Sequence, residues 1–192
     1  LIIGANPVAR AIGKALNDSG FSVLLTDTFW EYVSAARHAG LKTFFGSAVS
    51  DEADRQLDMV GIGQLLALSP QPDLNRLAIL RYRPEFGRAS VYRLSAMKAT
   101  KNSAEGHVRG EDRTLFGDEE TYARLAERLT SGGEVRITKL TAEFRRKDFE
   151  SRNPNALMLF GVDERDRLHF AVAGSRFEPG PGWKVCALHA KG

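Results

Sequence analysis

The strongest constraint on this chain is the alternation of short apolar runs with helical segments in its first half. The apolar runs predict five strands, at residues 1–3, 21–26, 41–45, 64–69 and 89–94. The segments between them have helical periodicity, and in the first of these Val8, Ile12 and Leu16 fall on one face. Strands that are joined by helices through short connections lie parallel, with helices on both faces of the sheet. The sequence therefore predicts an α/β fold, with a Rossmann-like doubly wound parallel sheet over residues 1–95.

The second half of the chain has a different pattern. Residues 98–113 are polar and charged, which predicts a linker or mobile loop. Beyond it, the spacing of Tyr122, Leu125 and Leu129 predicts a helix at 119–129. Strands are predicted at residues 135–140, 156–162, 168–173 and 183–188, with a hairpin turn at 163–166. We expect residues 96–192 to form a separate, smaller α+β domain with antiparallel strands.

Composition and charge exclude several classes of protein. The single cysteine, Cys186, cannot form an internal disulfide, and we interpret it as a small core residue of a protein in a reducing compartment. The formal net charge of +3 is spread along the chain and gives little support for nucleic-acid binding. No run approaches the ~20 apolar residues that cross a bilayer, and no signal-peptide pattern is present. Because the chain begins inside an apolar run, we expect it to be part of a longer polypeptide.

The turn after the first strand matches a relaxed G-x-G-x-x-[GA]-x-x-x-[GA] fingerprint of nucleotide-binding domains. Gly4 permits the tight turn, Asn6 caps the helix, and Pro7 suits the first helical position. Ala9 and Gly13 are small enough for the helix to lie close to the sheet. Asn6 stands at the second glycine of the fingerprint and adds a side chain in the path of the ligand. A mononucleotide such as AMP would tolerate that side chain better than a dinucleotide.

The first helical turn contains Arg10 and no acidic residue. A cation there opposes the helix dipole by ~0.3–1 kcal/mol. A bound phosphate would reverse the sign of that effect. The alternative is a simple strand–turn–helix connection with a solvated Arg10.

Asp27 is the predicted ribose-binding residue. It ends the second strand, roughly the ~20 residues past the loop at which an acidic residue meets the ribose hydroxyls. Its charge would repel a 2′-phosphate, and neither Arg nor Lys occurs between Thr28 and Glu31. NAD(H) or AMP is therefore preferred over NADP(H). The alternative is that Asp27 only caps the following helix.

The remaining candidate positions follow the third and fourth strands. Ser47 and Ala48 should flank the adenine, and Ser69 should face the same crevice. All three lie at carboxyl ends of strands, where open α/β sheets bind ligands. The predicted cofactor-binding residues are Gly4, Ala5, Asn6, Pro7, Val8, Ala9, Arg10, Asp27, Thr28, Ser47, Ala48 and Ser69. Neither catalytic residues nor metal ligands are predicted.

Residues 1–95 resemble the RCK/KTN domain, the TrkA-type (TrkA-N) NAD-binding regulatory module of bacterial potassium channels, potassium uptake systems and cation/proton antiporters. The matching pieces are 4–9, 23–27, 39–41, 46–52 and 73–75, in the order and at the spacing of that family. The chain has Asn6 where the family usually has glycine and Ser47 where it usually has an acidic residue. The stretch at 115–117, the helix after it and the late strands are similar to the cytosolic tail of sodium/proton antiporters that carry this module.

The resemblance implies a soluble regulatory domain at the cytoplasmic face of the inner (plasma) membrane. It also implies a membrane transport domain upstream in the same polypeptide and a homodimer formed through the Rossmann sheet region. NAD(H) or AMP would then control a monovalent cation/proton antiporter through its differential affinity for two states of the transporter.

Two other functions stay open. One is a regulatory RCK domain of a potassium channel or potassium uptake system, and the other is a stand-alone NAD-dependent oxidoreductase. An oxidoreductase needs a general acid/base near the nicotinamide. The four histidines, at 38, 107, 169 and 189, are scattered, and no Tyr-x-x-x-Lys pair is present. We therefore expect a sensor rather than an enzyme. The basic run at 144–147 is interpreted as a solvated face.

Overall fold

The first sheet of the molecule is parallel and has six strands. The computed structural model describes residues 1–95 and 113–191, so most of the loop predicted at 98–113 lies outside the described residues. The strands are β1 (Ile2–Ile3), β2 (Leu24–Asp27), β3 (Lys42–Phe45), β4 (Leu65–Ala67), β5 (Val91–Arg93) and β6 (Arg113–Thr114). Their order is β3-β2-β1-β4-β5-β6, and every neighbouring pair is parallel. This is the strand order of the Rossmann fold, so the predicted fold class is confirmed.

Four helices connect the first strands: α1 (Pro7–Asp18), α2 (Trp30–His38), α3 (Asp51–Gln56) and α4 (Pro72–Phe86). Two of them begin with a side-chain cap, and the cap predicted at Asn6 is confirmed. The side chain of Asn6 accepts the amide of Ala9 at the start of α1, and that of Ser50 accepts the amide of Ala53 at the start of α3. Such caps satisfy amides that have no partner within the helix.

The second sheet is antiparallel and has four strands, in the order β7-β10-β8-β9. These are β7 (Glu134–Lys139), β8 (Leu157–Val162), β9 (Leu168–Phe170) and β10 (Lys184–His189). The helix α5 (Tyr122–Thr130) precedes this sheet. A further helix, α6 (Arg146–Arg152), occupies the region interpreted from the sequence as a basic face. Its polar sequence buries one large side chain, Phe149, which is too weak a signal for a helix prediction.

The two faces of the parallel sheet bury different sets of side chains, as the two-residue repeat of a strand requires. One face packs Ile3, Leu65 and Ala67 against Ala78 and Ile79 of α4. The other face packs Ile2, Leu66 and Leu68 against α1, through residues that include Val8, Ala9 and Ile12. The α1 face therefore carries the turn that was predicted to bind phosphate.

The second half of the chain covers the same face as α1. Helix α5 and strand β7 both contact α1. The ring centroids of Tyr92, from β5, and Phe170, from β9, lie 4.9 Å apart in one continuous hydrophobic cluster. In β10, Cys186 and Leu188 join that cluster, whereas the alternating residues Val185 and Ala187 pack on α6.

The position of the domain boundary stays a prediction, although the two halves share this core. Strand β6 was not predicted, because it has only two residues, both polar, and it adds Arg113 and Thr114 to the parallel sheet. Among the described residues, no helix combines the length and the apolar character that crossing a bilayer requires.

Candidate functional site

The turn after β1 has the backbone geometry that its sequence predicts. Gly4 has φ +107°, which L side chains rarely adopt, and a Cβ at this position would lie 2.8 Å from Asn6 Nδ2. Ala9 is fully buried. A Cβ on Gly13 would lie 3.3 Å from Leu25 Cδ1 of β2. Small residues at these positions thus allow α1 to lie close to the sheet and its N-terminus to meet the sheet edge.

The side chain of Asn6 points into the protein rather than into the path of a ligand. It is fully buried. Its Oδ1 accepts the Ala9 amide at 3.0 Å, and its Nδ2 donates to the carbonyl of Leu68 at 2.9 Å. Asn6 therefore caps α1 and also ties the turn to the end of β4. The side chain that departs from the glycine fingerprint is thus used inside the fold.

Two amides of this turn have no acceptor in the part of the chain that the structure describes, and they belong to Asn6 and Val8. Both residues are buried. The neighbouring amides are paired, since Ala9 donates to the Asn6 side chain and Arg10 donates to the Asn6 carbonyl. A buried amide without an acceptor is costly. At the N-terminus of a helix, such amides form a site for an anion.

Arg10 lies over the same turn. Its Nη1 donates to the carbonyl of Ala5 at 3.0 Å, and the side chain is half-buried. Among the residues that the structure describes, no carboxylate pairs with it. A guanidinium has five N–H donors. Arg10 therefore keeps donors and an unbalanced charge for a phosphate.

Asp27 ends β2 beside the turn. Its Oδ2 accepts the amide of Ala5 at 2.7 Å, and its Oδ1 accepts the amide of Phe29 at 3.0 Å. The second bond is a local contact two residues along the chain. Helix α2 begins after Phe29 without a side-chain cap, so the alternative interpretation of Asp27 as its cap is wrong. A carboxylate has about four acceptor positions, and the side chain is only half-buried. Asp27 can therefore accept two ribose hydroxyls and keep both amides.

Three aromatic residues, Phe29, Tyr32 and Tyr122, lie near Asp27. Phe29 is half exposed at the start of α2, and its ring centroid lies 5.9 Å from that of Tyr32. Tyr122, the first residue of α5, lies within electrostatic reach of Tyr32, Arg10 and Asp27. Burial, the largest effect, raises the pKa of the Tyr122 phenol; Tyr32 and Asp27 also raise it, and Arg10 lowers it. The phenol is thus protonated at neutral pH and available as a donor.

The other predicted residues contribute less clearly to a binding surface. Pro7 and Thr28 are exposed beside the turn and Asp27. The hydroxyl of Ser47 accepts the amide of Val49 at 3.4 Å. Ala48 is buried in the core on the α4 side, and its carbonyl accepts the Tyr82 hydroxyl at 2.7 Å. Of these residues, Ala48 presents its side chain to the core rather than to the sheet edge.

The polar groups of Ser69 already form hydrogen bonds within the turn after β4. Its hydroxyl accepts the amide of Gln71 at 3.1 Å, its amide donates to Asn75 Oδ1, and its carbonyl accepts Asn75 Nδ2. The predicted residues that the structure brings together are therefore those of the turn, Arg10 and Asp27.

The candidate site consists of the buried turn and the half-buried side chains of Arg10 and Asp27. A cavity of about 260 Å³ lies at the opposite edge of the sheet, where residues that include Ser22, Lys42 and Asp58 line it. A cavity of about 360 Å³ lies beside β6, near Arg113 and Ser175. Neither cavity is lined by the predicted site residues.

The described histidines lie away from this surface. His38 is exposed at the end of α2. The ring of His169 lies 4.7 Å from that of Trp183, and its Nε2 is 3.0 Å from Asp163 Oδ2. His189 packs on Phe149. His107 lies outside the described residues, and within the described ones no group of histidine, cysteine and acidic side chains could hold a metal ion.

Cys186 is buried in the shared core, and that burial raises the pKa of its thiol to about 12. It therefore packs as the small core residue that the sequence predicted.

Sequence reasoning missed the two tyrosines of the site. Tyr32 falls on the helix that follows Asp27, and the helical spacing of Tyr122 placed it on a buried face. Neither position carries a local signal for ligand binding, because their proximity depends on how α5 packs on α1.

Comparisons with known proteins add no relative to this description. The chain matches none of the protein-family models, and no curated protein matches it. A functional assignment accordingly depends on the residues of the site and on the sequence pattern.

Proposed function

We propose that this chain is a nucleotide-sensing regulatory domain that binds NAD(H) or AMP at the carboxyl edge of its parallel sheet. In this proposal, occupancy of the site controls a monovalent cation/proton antiporter. The membrane domain of that antiporter precedes the chain in the same polypeptide. The domain then works at the cytoplasmic face of the plasma membrane, as a homodimer.

The observation that carries the nucleotide part is the unsatisfied turn after β1. Two buried amides, those of Asn6 and Val8, point to an anion, and Arg10 adds a positive charge without a carboxylate partner. Asp27 lies next to this turn, joined to it by the Ala5 amide at 2.7 Å. An anion site beside a carboxylate suits a phosphate that is linked to a ribose.

Each part of the nucleotide has a partner in this arrangement. The phosphate takes the amides of Asn6 and Val8 and the guanidinium of Arg10. The ribose hydroxyls donate to Asp27. The base lies beside the exposed ring of Phe29, where an aromatic face supports stacking.

The same arrangement disfavours NADP(H). A 2′-phosphate would meet the charge of Asp27, and the nearest basic side chain along α2 is Arg37. That guanidinium is held elsewhere, 5.3 Å from the centre of the Trp30 ring and with Nε 2.8 Å from Thr43 Oγ1. Arg37 is therefore not positioned to offset the charge of a 2′-phosphate.

The transporter part of the proposal is supported by the resemblance to RCK/KTN domains over residues 1–95. Two alternatives remain. A regulatory domain of a potassium channel or uptake system would share the resemblance, and the type of membrane domain proposed upstream would distinguish it from an antiporter. An NAD-dependent oxidoreductase would change the absorbance of NADH when its substrate is added.

Calorimetric titration of the whole chain with NADH, AMP and NADPH tests the nucleotide part. We expect NADH or AMP to bind at least tenfold more tightly than NADPH, because Asp27 repels the 2′-phosphate. Trp30 lies three residues after Asp27 and is half exposed, so its fluorescence provides a second readout. Failure of all three nucleotides to bind would overturn the proposal.

A further inference from the structure

The second half of the chain reaches the candidate nucleotide site through α5. This helix contacts α1, and its residue Leu125 is buried in the cluster that contains Val8 and Ala9 of α1. Tyr122 and Tyr32 are partly buried against the same cluster. Thr121, the N-cap of α5, forms a parallel bridge with Ser95 after β5, so α5 begins at the carboxyl edge of the sheet, the edge at which α1 begins.

The hydroxyl of Tyr122 is available to a ligand. Within residues 1–95 and 113–191, its hydroxyl forms no hydrogen bond, and it is not among the buried polar atoms that have no partner. The hydroxyl consequently reaches solvent at the edge of a half-buried cluster. Arg10, Asp27 and Tyr32 lie within electrostatic reach of this hydroxyl.

Charges of both signs lie at the start of α5. Asp118, Glu119 and Glu120 precede the helix, and Glu119 pairs with Arg124 and Glu120 with Arg128. Neither α1 nor α5 has an acidic residue in its first turn. The positive end of the α1 dipole, at the turn that holds Arg10, is therefore not opposed by an acidic residue of its own first turn. Beside it, Asp27 already accepts two amides.

We propose that Tyr122 is a ligand-binding residue whose hydroxyl donates a hydrogen bond to the phosphate held by Arg10, so that the bound nucleotide joins the two halves of the chain. This inference rests on the proposed nucleotide site and adds a residue to it from outside the Rossmann-like sheet. A bond from a neutral hydroxyl to a phosphate oxygen is charge-assisted and short. Binding at the sheet edge would thereby order the first turn of α5 and the sheet that follows it.

The test is calorimetric titration of the whole chain and two variants with AMP, adenosine and inorganic phosphate. Tyr122→Phe removes the hydroxyl and keeps the ring. Tyr92→Phe is the matched control, because the Tyr92 hydroxyl accepts Arg113 Nη1 at 3.2 Å and lies away from the site. We expect Tyr122→Phe to weaken AMP binding about tenfold, the loss typical of a hydrogen bond to a charged group. The affinity for adenosine should be unchanged in both variants.

A second readout separates a binding role from a structural one. Hydrogen exchange of residues 122–126 should slow when AMP binds to the wild type, and the effect should shrink in Tyr122→Phe. Without ligand, the wild type and Tyr122→Phe should have the same melting temperature.

The outcomes distinguish this inference from the proposed function. Equal AMP affinity in wild type and Tyr122→Phe overturns the role of Tyr122 and leaves the nucleotide site standing. An equal loss for AMP and adenosine also overturns it, because the contact would then not involve the phosphate. If the wild type binds neither AMP nor NADH, the proposed function fails, and this inference fails with it.

Discussion

The turns after β1 and after β4 occupy adjacent positions at the same sheet edge, and both lead from a strand into a helix with proline at its start. After β4, the protein itself pairs the polar groups: Ser69 and Asn75 exchange two hydrogen bonds, and Ser69 accepts the amide of Gln71. After β1, two buried amides find no acceptor and the Arg10 guanidinium finds no carboxylate within residues 1–95 and 113–191. Topology places both turns equally well for binding, so the difference lies in which polar groups the side chains already satisfy.

The largest expected effect comes from reversing the charge at the unsatisfied turn. Arg10→Glu should lower AMP affinity about 100-fold, because a charged hydrogen bond is lost and a repulsive charge is gained. Adenosine affinity should change little. The matched control is Arg76→Glu, an exposed arginine in the first turns of α4, which should leave both affinities unchanged. Calorimetry that shows the same loss for AMP and adenosine would rule out a phosphate at this turn.

The next effect concerns stability. Asn6→Ala removes the cap of α1 and leaves the buried Leu68 carbonyl without its donor. We expect the free energy of unfolding to fall by about 2–3 kcal/mol. Asn75→Ala, in the paired turn, should cost about 1–2 kcal/mol, since Asn75 is only half-buried. Urea denaturation measures both. A loss of stability below about 0.5 kcal/mol for Asn6→Ala would contradict the role of this side chain in capping α1 and binding the Leu68 carbonyl.

A smaller effect is expected at Asp27. Asp27→Ala should weaken AMP and NADH binding about tenfold by removing the acceptor for the ribose hydroxyls. The near-ultraviolet circular dichroism spectrum should be retained, because the strand and helix around Asp27 keep their other contacts. Unchanged affinity in calorimetry would remove Asp27 from the site and leave it as the acceptor of the Ala5 and Phe29 amides.

Asp163 provides the opposite case, a strand-end carboxylate whose donors all come from the protein. Burial tends to raise its pKa, but bonds from the Arg167 amide, the His169 ring and the Arg167 guanidinium lower the pKa below its ordinary range. The stabilisation is therefore present above the unfolded value of 3.8 and is lost as the pH falls below it. Asp163→Asn should destabilise the fold at pH 7 without changing nucleotide affinity.

The pH dependence can be checked by urea denaturation. The difference in stability between wild type and Asp163→Asn should shrink as the pH falls below about 4. Asp166→Asn, a neighbouring exposed carboxylate in the same turn, is the control and should show little difference at any pH. A difference that stays constant down to pH 2 would show that ionisation of Asp163 does not contribute.

The sequence predicts the parallel sheet well because its strands are apolar on both faces and its turns carry glycine, proline and caps. It does not predict β6 or α6, since Arg113–Thr114 and Arg146–Arg152 have almost no apolar pattern and form through tertiary contacts. The sequence also predicts the turn at Gly4 and the cap at Asn6. It does not predict the direction of the Asn6 side chain, because its partner, Leu68, is distant in the chain.

The tyrosines of the site show the same limit. The periodicity of α5 indicates that Tyr122 faces the interior, and it is indeed partly buried. Which helix it meets is decided by the packing of α5 on α1. That packing brings together residues about 100 positions apart, for which a single sequence carries no local signal.

The continuous cluster that runs from α1 to the antiparallel sheet has a consequence for how the protein comes apart. Expression of residues 1–95 alone would expose Tyr92, whose ring packs on Phe170 of β9, together with the face of α1 that α5 and β7 cover. Such a fragment should aggregate, whereas the intact chain should melt in one calorimetric transition with matching van't Hoff and measured enthalpies. We therefore expect the two halves that the sequence pattern distinguishes to unfold together.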